Sequence, residues 1–397
     1  MFMRYAKRVD LMKASEIREM IKLTLKPGII SFAGGLPAPE MFPVEQMKKV
    51  ACEVMDESGM VAMQYSATEG YVPLREKIVD RMKKYNGIDT KVDNVAIISG
   101  SQQGIDFAGR IFLDEGDIVL FETPSYMGAF NALKSYMPEF MDVPTDDEGM
   151  KIDELERIIE QYKERIKLIY VIPDFQNPTG RTWSLQRRKD FMKVINKYEI
   201  PVIEDNPYGD LRFEGQPIDS LKSLDTKGLV IYLGSFSKIL APGYRVAWVC
   251  ASDEIISKFI FAKQGADLQS STLAQMELNK YMEMYDLDEH VEKIRELYHK
   301  RRNLMLEMME KEFPKCVKFT YPKGGLFTWV ELPEDKSARE LLYKCVDENV
   351  AYVCGESFYP KCDKTNTFRM NFSTMPEDLI VEGVKRLGKA MREYLEE

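Results

Sequence analysis

The chain has 397 residues, with 55 Lys and Arg against 64 Asp and Glu, which gives a net charge of −9. Its composition, 45% hydrophobic and 30% charged, excludes a wholly disordered, collagen-like or coiled-coil chain, and its acidic balance argues against general nucleic-acid binding. No stretch approaches the ~18 apolar residues of a membrane span, and the first thirty residues lack the apolar segment of a secretory signal, so we expect a cytoplasmic protein that does not bind membranes.

Helix-like and strand-like segments alternate between about residues 44 and 261. Short runs with apolar residues on both faces predict strands of a buried parallel sheet. These runs cover residues 95–99, 117–122, 166–173, 200–205, 229–234 and 244–250. Helical patterns precede and separate them, at residues 44–58, 74–87, 101–116 and 184–199. The alternation predicts an α/β layer structure.

The pattern changes after about residue 268, where two long helical segments precede a strand–turn–strand pattern, a helix, two short strands and a final amphipathic helix. This order predicts a smaller α+β domain. We therefore expect an N-terminal segment over residues 1–30 that packs on the small domain, a large domain over 31–275 and a small domain over 276–397.

Two motifs follow predicted strands and combine hydroxyl groups with positive charge. Residues 100–104 (Gly-Ser-Gln-Gln-Gly) open a predicted helix, and the free N–H groups of a helix N-terminus suit a phosphate, although many such turns only cap a helix. In the second motif, Ser235 and Ser237 precede Lys238, and Arg245 follows seven residues later. A lysine here is a nucleophile if burial or nearby cations lower its pKa, and a solvated surface residue otherwise.

Three further features lie at or near predicted strand ends. Asp205 ends a strand three residues before Tyr208, where an acid can hold a cationic ring nitrogen or merely cap a loop. Asn177 begins an Asn-Pro-Thr-Gly sequence, which is typical of a turn. Arg369 lies inside an otherwise apolar strand and needs a partner or a ligand. Its guanidinium group matches a carboxylate in two parallel hydrogen bonds.

Histidine and cysteine give little sign of catalysis or metal binding. The two histidines, His290 and His299, lie in a charged helical pattern, where surface positions are usual. If the chain is an enzyme, its acid–base group is therefore expected to be another residue. The six cysteines are widely spaced without a Cys-x-x-Cys pair, so we predict reduced thiols and no metal site.

Taken in order, the motifs resemble the fold-type-I aminotransferases of class I/II, which use pyridoxal 5′-phosphate (PLP). The resemblance extends from Ser31 to Ser373. Residues 31–37 (Ser-Phe-Ala-Gly-Gly-Leu-Pro), residues 64–66 (Gln-Tyr-Ser) and the Ser-Gln-Gln turn are similar to the 2-aminoadipate/kynurenine/aromatic aminotransferase subgroup. The resemblance implies an aspartate-aminotransferase-like fold, with a mostly parallel seven-stranded sheet between helices in the large domain. It also implies cis peptide bonds before Pro124 and Pro178.

The same resemblance implies roles for individual residues. Lys238 would form the Schiff base with the cofactor and act as general base, while Asp205 would pair with the pyridinium nitrogen. Tyr208 and Asn177 would bind the phenolic oxygen of the cofactor. Tyr126 would pack on the ring face of the cofactor. The phosphate would be bound by Ser101, Gln102, Ser235, Ser237 and Arg245. Tyr65 would reach the same phosphate from the second subunit of a homodimer. The substrate contacts would be Arg369 at the α-carboxylate, Asn177, Gly35 and Arg18, the last at a second carboxylate.

The implied reaction is a ping-pong transamination. An L-amino acid (aminoadipate, aromatic or branched-chain) gives its amine to the cofactor, and a 2-oxo acid, expected to be 2-oxoglutarate, receives it. The alternatives are a carbon–sulfur lyase or decarboxylase on the same fold, a non-catalytic sensor fused to a DNA-binding domain, and a structural protein. Arg369 and the N-terminal motif favour transamination, the expected absence of a basic N-terminal domain disfavours the sensor, and Lys238 and Asp205 disfavour a structural role.

Overall fold

The computed structural model describes residues 3–11, 28–361 and 364–396. The helices are α1 (Val44–Ala62), α2 (Val72–Asn86), α3 (Ser101–Phe112), α4 (Met127–Leu133), α5 (Ile152–Tyr162), α6 (Leu185–Tyr198), α7 (Asp253–Gln264), α8 (Thr272–Met284), α9 (Leu287–Glu312), α10 (Ala338–Asp347) and α11 (Glu377–Glu396). The strands are β1 (Ile30–Ser31), β2 (Val95–Ile98), β3 (Ile118–Thr123), β4 (Glu139–Asp146), β5 (Gly149–Met150), β6 (Ile166–Val171), β7 (Val202–Asp205), β8 (Val230–Ser235), β9 (Ala247–Cys250), β10 (Lys318–Phe319), β11 (Phe327–Glu331), β12 (Val350–Ala351), β13 (Val353–Cys354) and β14 (Thr367–Asn371).

The main sheet has the strand order β2-β9-β8-β7-β6-β3-β4-β5. Strands β4, β3, β6, β7 and β8 pair in parallel, whereas β9 is antiparallel to both β2 and β8. Because β9 opposes both neighbours, β2 and β8 run in the same direction. The carboxyl ends of β2, β3, β6, β7 and β8 therefore meet at one edge of the sheet, where ligands bind in open α/β sheets.

The mostly parallel sheet between helices confirms the predicted fold class, with one difference in strand number. Within the described residues the sheet has eight strands in place of seven, because the two-residue strand β5 pairs antiparallel with β4. The neighbouring strand β4 is also absent from the apolar runs of the sequence. It lies near the sheet edge with most side chains only partly buried, so its residues need not be apolar on both faces.

Helix α3 packs directly on the main sheet, close to the turn from which the helix begins. Its buried face includes Ile105, Phe107 and Ala108. A side chain at Gly104 would meet Leu233 of β8 at 2.7 Å, which is shorter than van der Waals contact. The glycine therefore permits close packing of the helix on the strand and fixes where its first turn lies.

The second sheet is antiparallel, with the order β10-β11-β14-β13. Arg369 of β14 lies opposite Trp329 of β11 and Val353 of β13. Strand β1 pairs in parallel with β12, so the chain near residue 30 packs on the C-terminal part of the structure. The 3-10 turn Lys7–Leu11 contacts residues 134–136. The packing of the whole segment over residues 1–30 on the small domain stays a prediction.

The boundary between the large and the small domain, placed between residues 275 and 276, stays a prediction.

Within the described part of the chain, no helix is long and apolar enough to cross a membrane.

Candidate active site

The phosphate turn, residues 99–101, joins β2 to α3. Gly100 has a φ of 84°, and a Cβ there would lie 2.1 Å from Nη2 of Arg245. The glycine therefore lets the guanidinium group lie directly against the turn, where Nη2 donates a hydrogen bond to the Ser99 carbonyl at 3.5 Å. The hydroxyl of Ser101 is buried without a hydrogen-bond partner. These features form a positively charged, donor-rich cradle at the start of α3.

Two serines that are predicted to bind the phosphate lie at and just after the end of the parallel strand β8. Ser235 is its last residue, and its Oγ accepts a hydrogen bond from the Ser237 backbone N–H at 3.0 Å. Ser235 is buried, whereas Ser237 and the following Lys238 are partly buried. The local bond shapes the turn that carries the lysine away from the strand.

Asp205 ends β7 with only one of its two carboxylate oxygens satisfied. Oδ2 accepts a hydrogen bond from the Tyr170 hydroxyl at 2.7 Å, but Oδ1 is buried without a partner. Burial raises the pKa of Asp205 to about 6, while the Tyr170 hydrogen bond acts in the opposite direction. A cationic N–H group facing Oδ1 would both satisfy the oxygen and favour its ionised form.

The amine of Lys238 feels the positive charges of two arginines. Nζ donates a hydrogen bond to the Gly35 carbonyl at 2.9 Å. Burial, followed by the positive charges of Arg369 and Arg245, lowers the pKa of Lys238 to about 8. The neutral form, which a nucleophile or base requires, is therefore much more populated near pH 7 than in an ordinary lysine.

A short chain of hydrogen bonds connects Tyr208 to Arg369. The Asn177 amide nitrogen lies 3.4 Å from the Tyr208 hydroxyl, and its Oδ1 accepts from Nη1 of Arg369 at 2.8 Å. Nη2 of Arg369 donates to the Ala33 carbonyl at 2.7 Å, while Nε is buried without a partner. Burial lowers the pKa of Arg369 to about 10, so the side chain is still a cation at neutral pH.

Two phenylalanines fix the plane of the Arg369 guanidinium group. Its central carbon lies 4.1 Å from the Phe327 ring centre and 5.1 Å from that of Phe358. Gly35 also faces this group, since a Cβ there would lie 3.3 Å from the Phe327 ring and 3.9 Å from Nη2 of Arg369. The arginine is thus held rigidly at the wall of the site.

Tyr126 lies beside the phosphate turn, at the start of α4. Its hydroxyl is 3.4 Å from Oε1 of Gln102, whose Nε2 donates to the Gly128 carbonyl at 2.6 Å. Burial, and then the charge of Asp205, raises the pKa of the Tyr126 phenol. The peptide bonds before Pro124 and Pro178 are both cis, as predicted.

Among the described residues, one predicted site residue, Tyr65, is not joined to this cluster. Tyr65 is 79% exposed, and its backbone N–H is bound by the adjacent Gln64 side chain. Arg18, predicted at a second substrate carboxylate, lies outside the described residues. The other predicted residues meet in one site that draws on both sheets.

Three residues that shape the site are absent from the sequence-based predictions: Tyr170, Phe327 and Phe358. Tyr170 does carry a sequence signal, because a buried tyrosine in an apolar strand needs a partner for its hydroxyl. For the two phenylalanines no local signal exists. A phenylalanine that packs on an arginine has the same sequence pattern as any core phenylalanine.

The residues fit the cofactor that the resemblance implies. The unpartnered Oδ1 of Asp205 suits a protonated ring nitrogen. The unpartnered Ser101 hydroxyl, in the turn that Arg245 contacts, suits a phosphate oxygen. The lowered pKa of Lys238 suits condensation with an aldehyde. PLP carries these three groups.

Comparisons with known proteins agree with this fit. A family model described as aminotransferase class I and II matches residues 33–387. The chain is 44% identical to aromatic-amino-acid aminotransferase 1 of Thermococcus litoralis, over 97% of this chain and 93% of that protein. It is 42% identical to 2-aminoadipate transaminase of Thermus thermophilus, over 98% of this chain and 97% of that protein.

A solved structure gives the same result. The crystal structure of Pyrococcus horikoshii kynurenine aminotransferase in complex with PMP superposes with a TM-score of 0.95 at 42% identity, covering 98% of this chain and 97% of that one. These matches confirm the resemblance found in the sequence. The chain belongs to the class I and II aminotransferases, a family of PLP-dependent enzymes.

Proposed function

We propose that this site transfers an amino group from an L-amino acid to 2-oxoglutarate in a ping-pong reaction. The observation that carries the proposal is the position of Lys238. Its amine donates a hydrogen bond to the Gly35 carbonyl, and burial together with the charges of Arg369 and Arg245 lowers its pKa. When bound, PLP supplies an aldehyde that condenses with amines and a ring that withdraws electrons from the substrate Cα.

Lys238 moves a proton in this proposal. Its Nζ would take the proton from the substrate Cα and deliver it to the carbon of the cofactor that carried the aldehyde, before water releases the 2-oxo acid and the amino group stays with the cofactor. The lowered pKa keeps Nζ partly neutral near pH 7, so that it can work in both directions. The hydrogen bond to the Gly35 carbonyl holds the amine at the substrate side of the site.

Asp205 and Tyr208 set the charge distribution around the ring. The buried Asp205 carboxylate, whose Oδ1 has no protein partner, keeps the ring nitrogen protonated through that free oxygen. Tyr208 and Asn177 donate hydrogen bonds to the phenolic oxygen, and Tyr126 packs on the ring face. Burial raises the pKa of Tyr208, so this phenol keeps its proton and remains a donor.

The remaining residues bind the two ends of the reactants. The phosphate group is held by Ser101, Gln102, Ser235, Ser237 and Arg245. Arg369 binds the α-carboxylate that every amino and oxo acid in the reaction carries, with Asn177 and Gly35 beside it. The Asn177 oxygen and the Ala33 carbonyl pre-orient its two terminal nitrogens. A guanidinium group fixed in this way loses little entropy when it binds a carboxylate.

The donor we propose is an amino acid with an aminoadipate, aromatic or branched-chain side chain. The relatives named above support the first two classes, since they are an aromatic-amino-acid aminotransferase and a 2-aminoadipate transaminase. The choice of 2-oxoglutarate rests on the family resemblance. Arg18 is the residue proposed to bind its second carboxylate.

We further propose a homodimer that places Tyr65 at the phosphate of the other subunit. An exposed apolar surface around this residue supports the proposal, since such a patch marks an interface in most proteins. The patch consists of Met60, Val61, Met63, Tyr65 and Leu268, of which Met60 is 92% exposed. The backbone of Ser66 contacts the Gln269 side chain, so the two parts of the patch are neighbours.

The domain division and the cellular location also belong to this proposal. The large domain, residues 31–275, would supply the cofactor contacts, and the small domain, residues 276–397, would supply Arg369. A cytoplasmic location is supported by the cysteines of the described residues, which are free thiols. These are Cys52, Cys250, Cys316, Cys345 and Cys354.

An amino-donor panel tests the proposed reaction. Purified protein with PLP is incubated with 2-oxoglutarate and each of the twenty protein amino acids or 2-aminoadipate, and glutamate, ammonia and pyruvate are measured. We expect one mole of glutamate for each mole of donor consumed, with preference for aminoadipate, aromatic or branched-chain donors. Release of ammonia and pyruvate without glutamate would support the alternative, a carbon–sulfur lyase.

A further inference from the structure

A buried lysine outside the proposed PLP contacts lies directly behind the phosphate turn. Lys263, near the end of α7, has a side chain that is only 2% exposed. Its Nζ donates to both carboxylate oxygens of Asp267 at 2.9 and 3.0 Å, to the Ser270 hydroxyl at 2.9 Å and to Oε1 of Gln103 at 3.2 Å. The ammonium group is thus surrounded by oxygen atoms, and its charge is balanced by one carboxylate.

This cluster holds Ser99, the first residue of the phosphate turn. The Ser99 backbone N–H donates to Oε1 of Gln103 at 2.8 Å, and its hydroxyl lies 2.9 Å from the Ser270 hydroxyl. Nε2 of Gln103 in turn donates to Asp267 at 2.8 Å. Since Arg245 contacts the Ser99 carbonyl, the amide, hydroxyl and carbonyl groups of this one residue are all engaged.

The charge of Lys263 determines which way the Gln103 amide points. An ammonium group only donates hydrogen bonds, so it selects the Gln103 oxygen and directs Nε2 toward Asp267. In this orientation the same oxygen accepts the Ser99 N–H. Without the lysine, the amide loses one of the two donors that fix it, and the Asp267 carboxylate loses its main partner. The turn would then be held less firmly in the position that faces a phosphate group.

We propose that Lys263, paired with Asp267, is a positioning residue that holds the phosphate turn ready for the cofactor phosphate. This inference rests on the proposed use of residues 99–101 as a phosphate site. It predicts a specific defect: weaker binding of ligands that carry the phosphate, without a matching loss for ligands that lack it. A residue that only stabilises the fold would affect both kinds of ligand alike.

The test compares PLP with pyridoxal, its analogue without the phosphate, in titrations of the apoprotein followed by visible absorbance. For Lys263→Met we expect the Kd of PLP to rise about tenfold, the usual scale for a lost charge-assisted hydrogen bond, while the Kd of pyridoxal changes less than about twofold. Lys222→Met is the matched control. Lys222 forms a similarly close ion pair with Asp225, at 2.9 Å, and the Lys222 side chain is 12% exposed. This pair lies at the edge of the main sheet opposite to the phosphate turn. This control should leave both Kd values unchanged.

The outcomes separate the inference from the proposed function. Wild-type apoprotein that binds neither ligand would contradict the PLP site itself. Equal losses for both ligands in Lys263→Met, or no loss for either, would overturn the role of Lys263 while leaving the site intact. If Lys263→Met does not fold, Lys263→Met combined with Asp267→Asn removes both charges together. This pair of changes should restore folding and still show the selective loss for PLP.

Discussion

The Tyr170 hydroxyl donates a 2.7 Å hydrogen bond to Oδ2 of Asp205, from strand β6 to the neighbouring strand β7. The other oxygen of the same carboxylate is buried and has no partner. Tyr170 therefore holds one oxygen of the carboxylate and leaves the other free for a ligand. It also opposes the effect of burial, which raises the pKa of Asp205 to about 6.

Tyr170→Phe should weaken PLP binding in a pH-dependent manner. Removing the donor raises the Asp205 pKa further, so a smaller fraction of the carboxylate is ionised at mildly acidic pH. We expect the Kd of PLP to rise about tenfold at about pH 6, with a much smaller difference at about pH 8 where the carboxylate ionises in both proteins. Titration of the apoprotein with PLP across this range measures the effect.

Tyr352→Phe provides the control for this prediction. Tyr352 is also buried, and its hydroxyl donates a single hydrogen bond at 2.6 Å to the Ala338 carbonyl, which cannot titrate. The Tyr352→Phe substitution should lower the free energy of unfolding by about 1 kcal/mol without changing the pH dependence of PLP binding. A pH-independent loss of affinity in Tyr170→Phe would contradict the electrostatic role of Tyr170.

Gly100→Ala should disrupt the contact between the phosphate turn and Arg245. The new Cβ would lie 2.1 Å from Nη2 of Arg245 at a backbone φ of 84°. Gly116→Ala has nearly the same φ, 89°, but no atom within 4 Å of its Cβ. Both variants place an alanine at a positive φ and should lose stability on the order of 1 kcal/mol or more, and only Gly100→Ala should lose PLP affinity. Equal PLP affinity in the two variants would argue against a phosphate site at this turn.

Arg369→Lys should raise KM strongly for every amino acid and oxo acid. An ammonium group cannot form the forked pair of hydrogen bonds with a carboxylate, and a loss of about 3 kcal/mol corresponds to more than a hundredfold in kcat/KM. Steady-state kinetics with the preferred donor measure this loss. Arg188→Lys changes another buried arginine, which pairs with Asp174 at 2.8 Å, and should lower stability while leaving KM unaffected. An unchanged KM in Arg369→Lys would remove the carboxylate role.

Met60→Glu should convert the proposed dimer to a monomer and release PLP. A charge in the centre of the apolar patch destabilises burial of that patch by several kcal/mol unless it finds a partner. Tyr343→Glu, on the exposed face of α10, is the control and should leave the assembly unchanged. Sedimentation velocity with absorbance of the bound cofactor reports both properties. A fully active monomeric wild-type protein would exclude the proposed interface.

Tyr65→Phe tests the contribution of a single group across that interface. The phenol at position 65 is 79% exposed in one subunit, so its loss should not change the stability of the folded chain. We expect a several-fold faster release of PLP on dialysis, as for one lost hydrogen bond to a charged group. An unchanged release rate with an intact dimer would place Tyr65 away from the phosphate.

The sequence is most informative where a residue type conflicts with its surroundings. Arg369 interrupts an apolar strand, so the sequence pattern alone implies a ligand or a partner for it, while Asp205 and Ser235 stand at the ends of apolar strands, where ligands bind in open α/β sheets. Because β2, β7 and β8 run in the same direction, the strand ends that carry Asp205 and Ser235 lie at one edge of the main sheet. Both faces of these strands are buried, which makes their sequences plainly apolar.

Features that depend on distant contacts are not predictable in the same way. Strand β4 lies near the sheet edge and has a mixed pattern. Phe358 stacks on Arg369, but nothing in its own sequence neighbourhood indicates this contact. Nothing in the sequence around Lys263 names its partners, and only the fold brings it to Ser270, Gln103 and the phosphate turn. Such partners follow from the tertiary structure and not from the local pattern.

The most direct test of the central claim is to locate the lysine that binds the cofactor. The purified holoprotein is reduced with borohydride, digested and examined by mass spectrometry. The phosphopyridoxyl group should be found on the peptide that contains Lys238, and the Lys238→Ala variant should carry no label. A label on another lysine, such as Lys263, or none at all in protein that has bound PLP, would contradict the proposed site.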